Sequence, residues 1–190
     1  MRKSSALELA ILGLLQESPL HGYELRKRLT HLLGAFRAIS FGALYPALKG
    51  LTDSGFITQT DNPEAAGPAL SAKRARITYA LTPSGKTHLA SLLGESGPET
   101  WDDEGFGVRL AFFATTEAVV RRRILEGRRS RLAERHAALR ESLAARREKL
   151  DRYTLELQRH GLDGVENELA WIDDLIAQED SHPKSARQAG

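Results

Sequence analysis

The chain has 190 residues, 41% hydrophobic and 27% charged, with a formal net charge of +2. That is enough apolar material for one ordinary domain or two small ones, each with a modest core. The absence of cysteine excludes disulfides, thiolate metal sites and nucleophilic cysteine together, and a cytoplasmic location is expected. The longest apolar run, Leu9 to Leu15, is too short to cross a bilayer, so no membrane partner is expected.

The charge is divided unevenly. Residues 1–93 carry 11 Lys or Arg against 6 Asp or Glu, a net +5, while the remainder carries 16 against 19, a net −3. A basic first half beside a mildly acidic second half is the pattern expected when the first half faces phosphates.

Arg2 and Lys3 precede an apolar stretch, as in a signal peptide, but Glu8 interrupts it and no small-residue cleavage pattern follows Leu15. The expectation is a first helix over about Ser5 to Gln16 that buries Leu7, Ile11, Leu14 and Leu15. Ser18-Pro19-Leu20 breaks it, and a second helix starts near His21 with Tyr23, Leu25, Leu29, Leu32 and Leu33 as its apolar members. A loop with Gly34 leads to Ser40, a plausible N-cap.

The third helix carries Leu44, Leu48 and Leu51 on one stripe, with Tyr45, Lys49 and Thr52 off it and their polar ends free. Pro46 lacks the N–H and crowds the residue four back, here Gly42, so a local distortion or a late helix start is expected. Gly55 ends this helix. Phe56 to Thr60 and Arg76 to Leu81 then read as two strands of a hairpin, with Asn62-Pro63, Gly67-Pro68, Lys73, Arg74 and Arg76 between or at their base. Thr82-Pro83-Ser84-Gly85 starts a fourth helix running to about Leu93. Gly94 to Gly105, centred on Gly97-Pro98, is a linker by composition.

From about Thr116 to Arg159, Leu132, His136, Leu139, Leu143, Arg146, Leu150, Tyr153 and Leu157 alternate by four and three, a heptad seam. A single helix of about 44 residues would be roughly 66 Å long and must find a partner, which makes Leu132, His136, Leu139, Leu143, Leu150, Tyr153 and Leu157 the expected dimer seam. A last helix, Val165 to Gln178, folds back across Gly161 to Gly164 as an antiparallel arm.

His21-Gly22-Tyr23-Glu24-Leu25, Gly42-Ala43-Leu44-Tyr45-Pro46-Ala47-Leu48 with Leu51 and Gly55-Phe56-Ile57, and Tyr79-Ala80-Leu81-Thr82 with Gly85 together resemble the PadR family of bacterial transcriptional regulators. The resemblance covers most of residues 5–93, and the C-terminal half is similar in pattern to the longer-tailed members. It implies a mainly α fold with a small β-hairpin wing: an N-terminal winged helix-turn-helix over 1–93, a junction over 94–115, a C-terminal long-helix dimerisation domain over 116–180, and a disordered tail over 181–190. It also implies a homodimeric repressor that binds double-stranded DNA at a near-palindromic promoter site. Ser40, Gly42, Ala43, Tyr45, Pro46 and Lys49 fall on the recognition-helix positions, and Tyr23 on a phosphate contact. The wing departs from the family's usual short Gly-Arg-Pro-like tip, since Ser71 to Arg76 follows a longer loop.

The residues support that chemistry directly. Arg2, Lys3, Lys49, Lys73, Arg74 and Arg76 can neutralise phosphates, while Gly42 and Ala43 allow close approach to a groove. Ala43 suits a thymine methyl and Lys49 a guanine. A helical dimerisation protein whose winged domain binds another protein is the alternative.

No enzyme, metal site or cofactor is expected. His21, His31, His88, His136, His160 and His182 have no close metal-ligand spacing, and no phosphate-binding or nucleophile-elbow loop occurs. Trp101, Phe106, Phe112 and Phe113 near the junction, with Trp171 on the last helix, read either as a pocket for a small aromatic effector or as domain and dimer core. Arg121-Arg122-Arg123 and Arg128-Arg129 read either as a site for an anionic nucleotide, with Arg122 and Arg128 as ligands, or as solvated helix faces.

Overall fold

The computed structural model describes residues 4–33, 41–61, 77–146 and 150–181, in two compact units. One comprises Met1–Glu95 with Asp103–Thr116, the other Ser96–Asp102 with Glu117–Gly190. Residues 94–115 therefore divide between the two units, and they carry two single-turn 3-10 segments and a short helix.

In the first unit, helix α1 (Ser4–Glu17) is the centre. Leu9, Ala10, Ile11 and Leu12 are all fully buried, so the helix is covered on every side there and shows no single apolar stripe. Helices α2 (Gly22–Leu33), α3 (Phe41–Asp53), α4 (Pro83–Gly94) and α5 (Phe106–Ala111) pack around it.

The sheet has three antiparallel strands in the order β1 (Leu20–His21), β3 (Ile77–Leu81), β2 (Ile57–Asp61). Strand β2 pairs with β3 in the register Ile57 to Leu81 through Asp61 to Ile77, and Leu20 faces Tyr79. Strand β1, two residues long, is an addition to the expected hairpin. It turns straight into α2 at Gly22, where a Cβ would meet the Tyr79 ring at 3.5 Å.

The ends of α3 and α4 follow local chemistry. Gly55 adopts φ +73°, its N–H donates to Thr52 O at 2.9 Å and the Phe56 N–H donates to Leu51 O at 2.9 Å, the paired bonds of a Schellman stop. Thr82 caps α4 by accepting from the Gly85 N–H at 3.0 Å, with Pro83 at the first helical position. At the far end of α4, the buried Arg109 guanidinium donates to Leu92 O and pairs with Glu95 Oε2 at 2.8 Å, which places a cation at the helix's negative end and ties α5 to it.

The second unit is a helical hairpin. The expected single helix over 116–159 is instead two, α6 (Ala118–Arg146) and α7 (Arg152–Ser181). Helix α7 runs unbroken through Gly161 and Gly164, where the fold-back was expected. Asp151 accepts from the N–H groups of Tyr153 and Thr154 at 2.9 and 3.0 Å and from the Thr154 hydroxyl, so α7 begins on an N-cap. The two glycines cost about 1 kcal/mol each relative to alanine in a helix, and the burial of Val165 and Ile172 on the same helix outweighs that.

The hairpin core comprises Val120, Ile124, Leu125, Leu132, Val165 and Ile172. A ladder of ion pairs runs antiparallel along it, Arg121 to Glu179 at 2.7 Å, Arg122 to Asp180, Arg129 to Asp173 at 2.5 Å and Arg128 to Glu168, and His136 Nε2 lies within hydrogen-bond distance of Glu166 Oε1 at 2.7 Å. Segment 96–102 joins this unit through Trp101, whose ring lies over Gly127 and whose carbonyl accepts from Arg128 at 3.2 Å.

Candidate nucleic-acid interface

Helix α3 has two distinct faces. Leu44, Leu48 and Leu51 are buried against the α1 side of the core, while Gly42, Ala43, Tyr45, Pro46, Lys49, Gly50 and Asp53 are exposed. The exposed face is mostly small. Gly42 and Gly50 have nothing within 4 Å of a built Cβ, so another surface can come close to the backbone there.

The polar groups of α3 are not free, as the sequence suggested. Lys49 Nζ pairs with Asp53 Oδ2 at 2.5 Å one turn on, and the Thr52 hydroxyl donates to Leu48 O at 2.8 Å. Both arrangements are the local i,i+4 solutions a helix offers polar side chains in the absence of a partner. Tyr45 is 38% exposed. Behind it stands Tyr79 of β3, whose phenol pKa is raised by burial and, secondarily, by Tyr45.

Nor does α3 start late. It begins at Phe41 and is continuous through Pro46, whose ring falls opposite the open Gly42.

On α2, Tyr23 is 65% exposed. An open cleft of about 890 Å³ runs along this helix, lined among others by Tyr23, Arg26, Lys27, Thr30 and His31. Arg26 and Lys27 entered the sequence reading only through the charge count. Their adjacency to Tyr23 on one helix was the signal that could have singled them out. At the other end of α2, His21 Nδ1 lies 3.0 Å from Thr78 Oγ1, which ties the start of the helix to β3. Arg2, Lys3, Ser40, Lys73, Arg74, Arg76 and the tail after Ser181 lie outside the described residues.

The aromatic residues singled out near the junction fall in both units. Phe106 and Phe112 belong to the first, Phe106 buried and Phe112 against Gly13, with Phe113 half-buried beside them in sequence. Trp101 belongs to the second, and Trp171 on α7 is 37% exposed. Arg122 bonds Glu126 at 2.8 Å and Asp180, and the buried Arg128 bonds Glu168, so each meets carboxylates of its own hairpin. Of the expected seam, Leu132 is buried inside the hairpin and His136 is engaged by Glu166, while Leu143 lines a small groove with Leu155 and Leu162. Tyr153 and Leu157 are the exposed members, at 81% and 67%. Among the described residues no three or more His, Asp or Glu are grouped to hold a metal, and no helix is long and apolar enough to cross a membrane.

Residues 11–91 match the transcriptional regulator PadR-like family. The negative transcriptional regulator PadR of Bacillus subtilis (strain 168) is 38% identical over 100 residues, which is 52% of this chain and 52% of that protein, so the chain spans about half the length of that curated relative. Among solved structures, the chain is similar to Bacillus subtilis PadR in complex with operator DNA, at 26% identity over 91% of this chain and 98% of that one, with a TM-score of 0.43. It is also similar to the same protein in complex with p-coumaric acid, at 25% identity over 92% and 99%, with a TM-score of 0.41. The family match runs from within α1 through α2, α3 and the hairpin into α4, so this portion of the chain is similar to the PadR-like family of transcriptional regulators.

Proposed function

We propose that the protein is a cytoplasmic, homodimeric repressor that binds a near-palindromic promoter site, with α3 in the major groove and the β2–β3 hairpin as wing, and that responds to a small aromatic or anionic ligand. The observation that carries this reading is the exposed, small-residue face of α3 around Tyr45 and Lys49. Repression is supported by the relative that is 38% identical over 100 residues, itself a negative regulator. In this reading Ser40, Gly42, Ala43, Tyr45, Pro46 and Lys49 are the recognition-helix positions, and Tyr23 meets a phosphate together with Arg2, Lys3, Lys73, Arg74 and Arg76.

Dimerisation is supported by a second stripe on α7, beside the one that packs on α6. Tyr153, Leu157, Gly161, Gly164 and Trp171 lie four, four, three and seven residues apart and so share one helical face, with the aromatic and leucine side chains exposed and the glycines open. Two copies would then set their α3 helices about 34 Å apart, or a multiple of it, on one face of the duplex. Residues 1–93 act as the DNA-binding domain, 94–115 as the junction and 116–180 as the dimerisation domain.

The test is selection of bound sites from random double-stranded DNA, followed by gel shift. Tyr45→Ala with Lys49→Ala should weaken binding to the selected site by at least about tenfold, since a good base contact is worth about 1–3 kcal/mol, and affinity should fall steeply with salt. Equal affinity of the double variant and wild type would remove α3 as the reader. Failure to select any DNA would turn the open face of α3 into a protein-docking surface.

A further inference from the structure

We propose that Thr82 is a positioning residue that locks the recognition helix to the wing, so that the two meet DNA as one rigid piece; this rests on the DNA-binding reading above. Thr82 follows the last residue of β3 and precedes α4. Its hydroxyl proton is shared between Gly55 O at 2.7 Å and Phe56 O at 3.0 Å, and its own N–H also donates to Phe56 O at 3.1 Å. The same hydroxyl oxygen accepts from the Gly85 N–H. One side chain thus holds the stop of α3, the entry to β2 and the first turn of α4.

The surroundings leave the joint little freedom. Phe56 is bonded back to Leu51 of α3 through its N–H and forward to Thr82 through its carbonyl, and the next residue, Ile57, is already paired with Leu81. A Cβ on Gly85 would lie 1.9 Å from Phe56 O, so α4 reaches this carbonyl only because position 85 has no side chain. Gly55 supplies the left-handed φ of +73° that turns α3 into β2. A recognition helix and a wing that read neighbouring parts of one duplex must keep a fixed mutual angle. The hydrogen bonds that set this angle at the root of the hairpin converge on residues 55, 56 and 82.

A cap that served α4 alone would lower stability without changing how DNA is engaged. The two roles separate in the full-length chain on a site that the wild type selects from random double-stranded DNA. Thr82→Val keeps the shape and removes both the donor and the acceptor. Measured where it is fully folded by circular dichroism, it should bind about tenfold more weakly, as expected for losing one or two hydrogen bonds that orient the contact surfaces. Its hydroxyl-radical footprint should keep the centre of each half-site and lose the flank covered by the wing. Thr82→Ser, which keeps both hydrogen-bonding roles, should return to within about twofold of wild type by the same reasoning.

Gly55→Ala disturbs the same joint from its other side and should lose the same flank, so the proposal stands or falls on it if Thr82→Val does not fold. Wild-type affinity and an intact flank in either folded variant would overturn the proposal, as would a footprint that fades evenly in proportion to the unfolded fraction. A wild-type chain that selects no DNA would overturn the DNA-binding reading and this proposal together. A wild type that selects a site and variants that keep the flank would overturn the joint alone.

Discussion

The ring of Phe112 fills the space in front of Gly13: a Cβ built on Gly13 would lie 2.2 Å from Cε1 of that ring. The segment after α5 is seated on the central helix by this single absence of a side chain. Gly13→Ala gains about 1 kcal/mol of helix propensity and loses more by expelling the ring, so a net destabilisation of about 1–2 kcal/mol is expected from overpacking. Urea melts measure it. Adding Phe112→Leu to Gly13→Ala should recover part of the loss, and strictly additive losses would refute the contact.

Trp101 and Gly127 repeat the device in the helical hairpin, where a Cβ on Gly127 would come within 2.4 Å of the indole. With Trp171 replaced by Phe, the remaining fluorescence reports Trp101 alone, since the chain has two tryptophans. Gly127→Ala should shift that emission to the red as the ring is pushed into water. An unchanged spectrum would show that α6 yields instead.

Arg128 is buried, with Glu168 opposite and the Trp101 carbonyl beside it. Glu168→Ala leaves a guanidinium in low dielectric without that carboxylate, and should cost roughly 2–3 kcal/mol, below the full cost of breaking a buried pair because Glu168 is partly exposed. Thermal melts should show Arg128→Met, which removes the charge itself, as the milder change.

Asp151 starts α7, and hydrogen bonds from the Thr154 side chain and then its backbone N–H hold the carboxyl below its usual pKa. The folded-state value is therefore depressed. Its contribution is fully present above the unfolded-state pKa and is lost as pH falls through the folded one. Asp151→Ala should melt lower than wild type at neutral pH, and the gap should close toward about pH 2, below the carboxylate range. A gap that persists there would assign the loss to packing.

Leu157→Glu places a charge on the exposed stripe of α7 and touches nothing in the hairpin core. Sedimentation equilibrium should find a dimer for wild type and a monomer for the variant, with the helix content of both unchanged. Unchanged association would move the dimer contact elsewhere.

The winged portion was legible because each of its punctuation marks has one physical meaning. Leu44, Leu48 and Leu51 share a helical face, Gly55 supplies the left-handed stop, and Thr82-Pro83 is a cap followed by a proline that needs no donor. The helical hairpin was not legible for a reason equally specific. Leu143 on α6 and Tyr153 and Leu157 on α7 continue one heptad spacing, although Leu143 lines the groove within the hairpin while Tyr153 and Leu157 are exposed. Asp151 opens α7 without glycine or proline, while Gly161 and Gly164, which look like breakers, sit on an open face where they break nothing. The pairing of Lys49 with Asp53, and of Thr52 with its own backbone, was hidden because neither residue's type says whether its polar end is occupied.

Lys49 and Asp53 are the charged residues of α3, and their pairing makes its exposed face electrically neutral. On the DNA-binding reading, this helix exerts no long-range pull, so encounter rates are set by the rest of the basic half and α3 acts only once docked. Asp53 is then an internal competitor. A phosphate on random sequence offers Lys49 little more than it already has, whereas a guanine edge presents two acceptors in fixed geometry. The neutral face would let the protein leave wrong sequences quickly and linger on the right one.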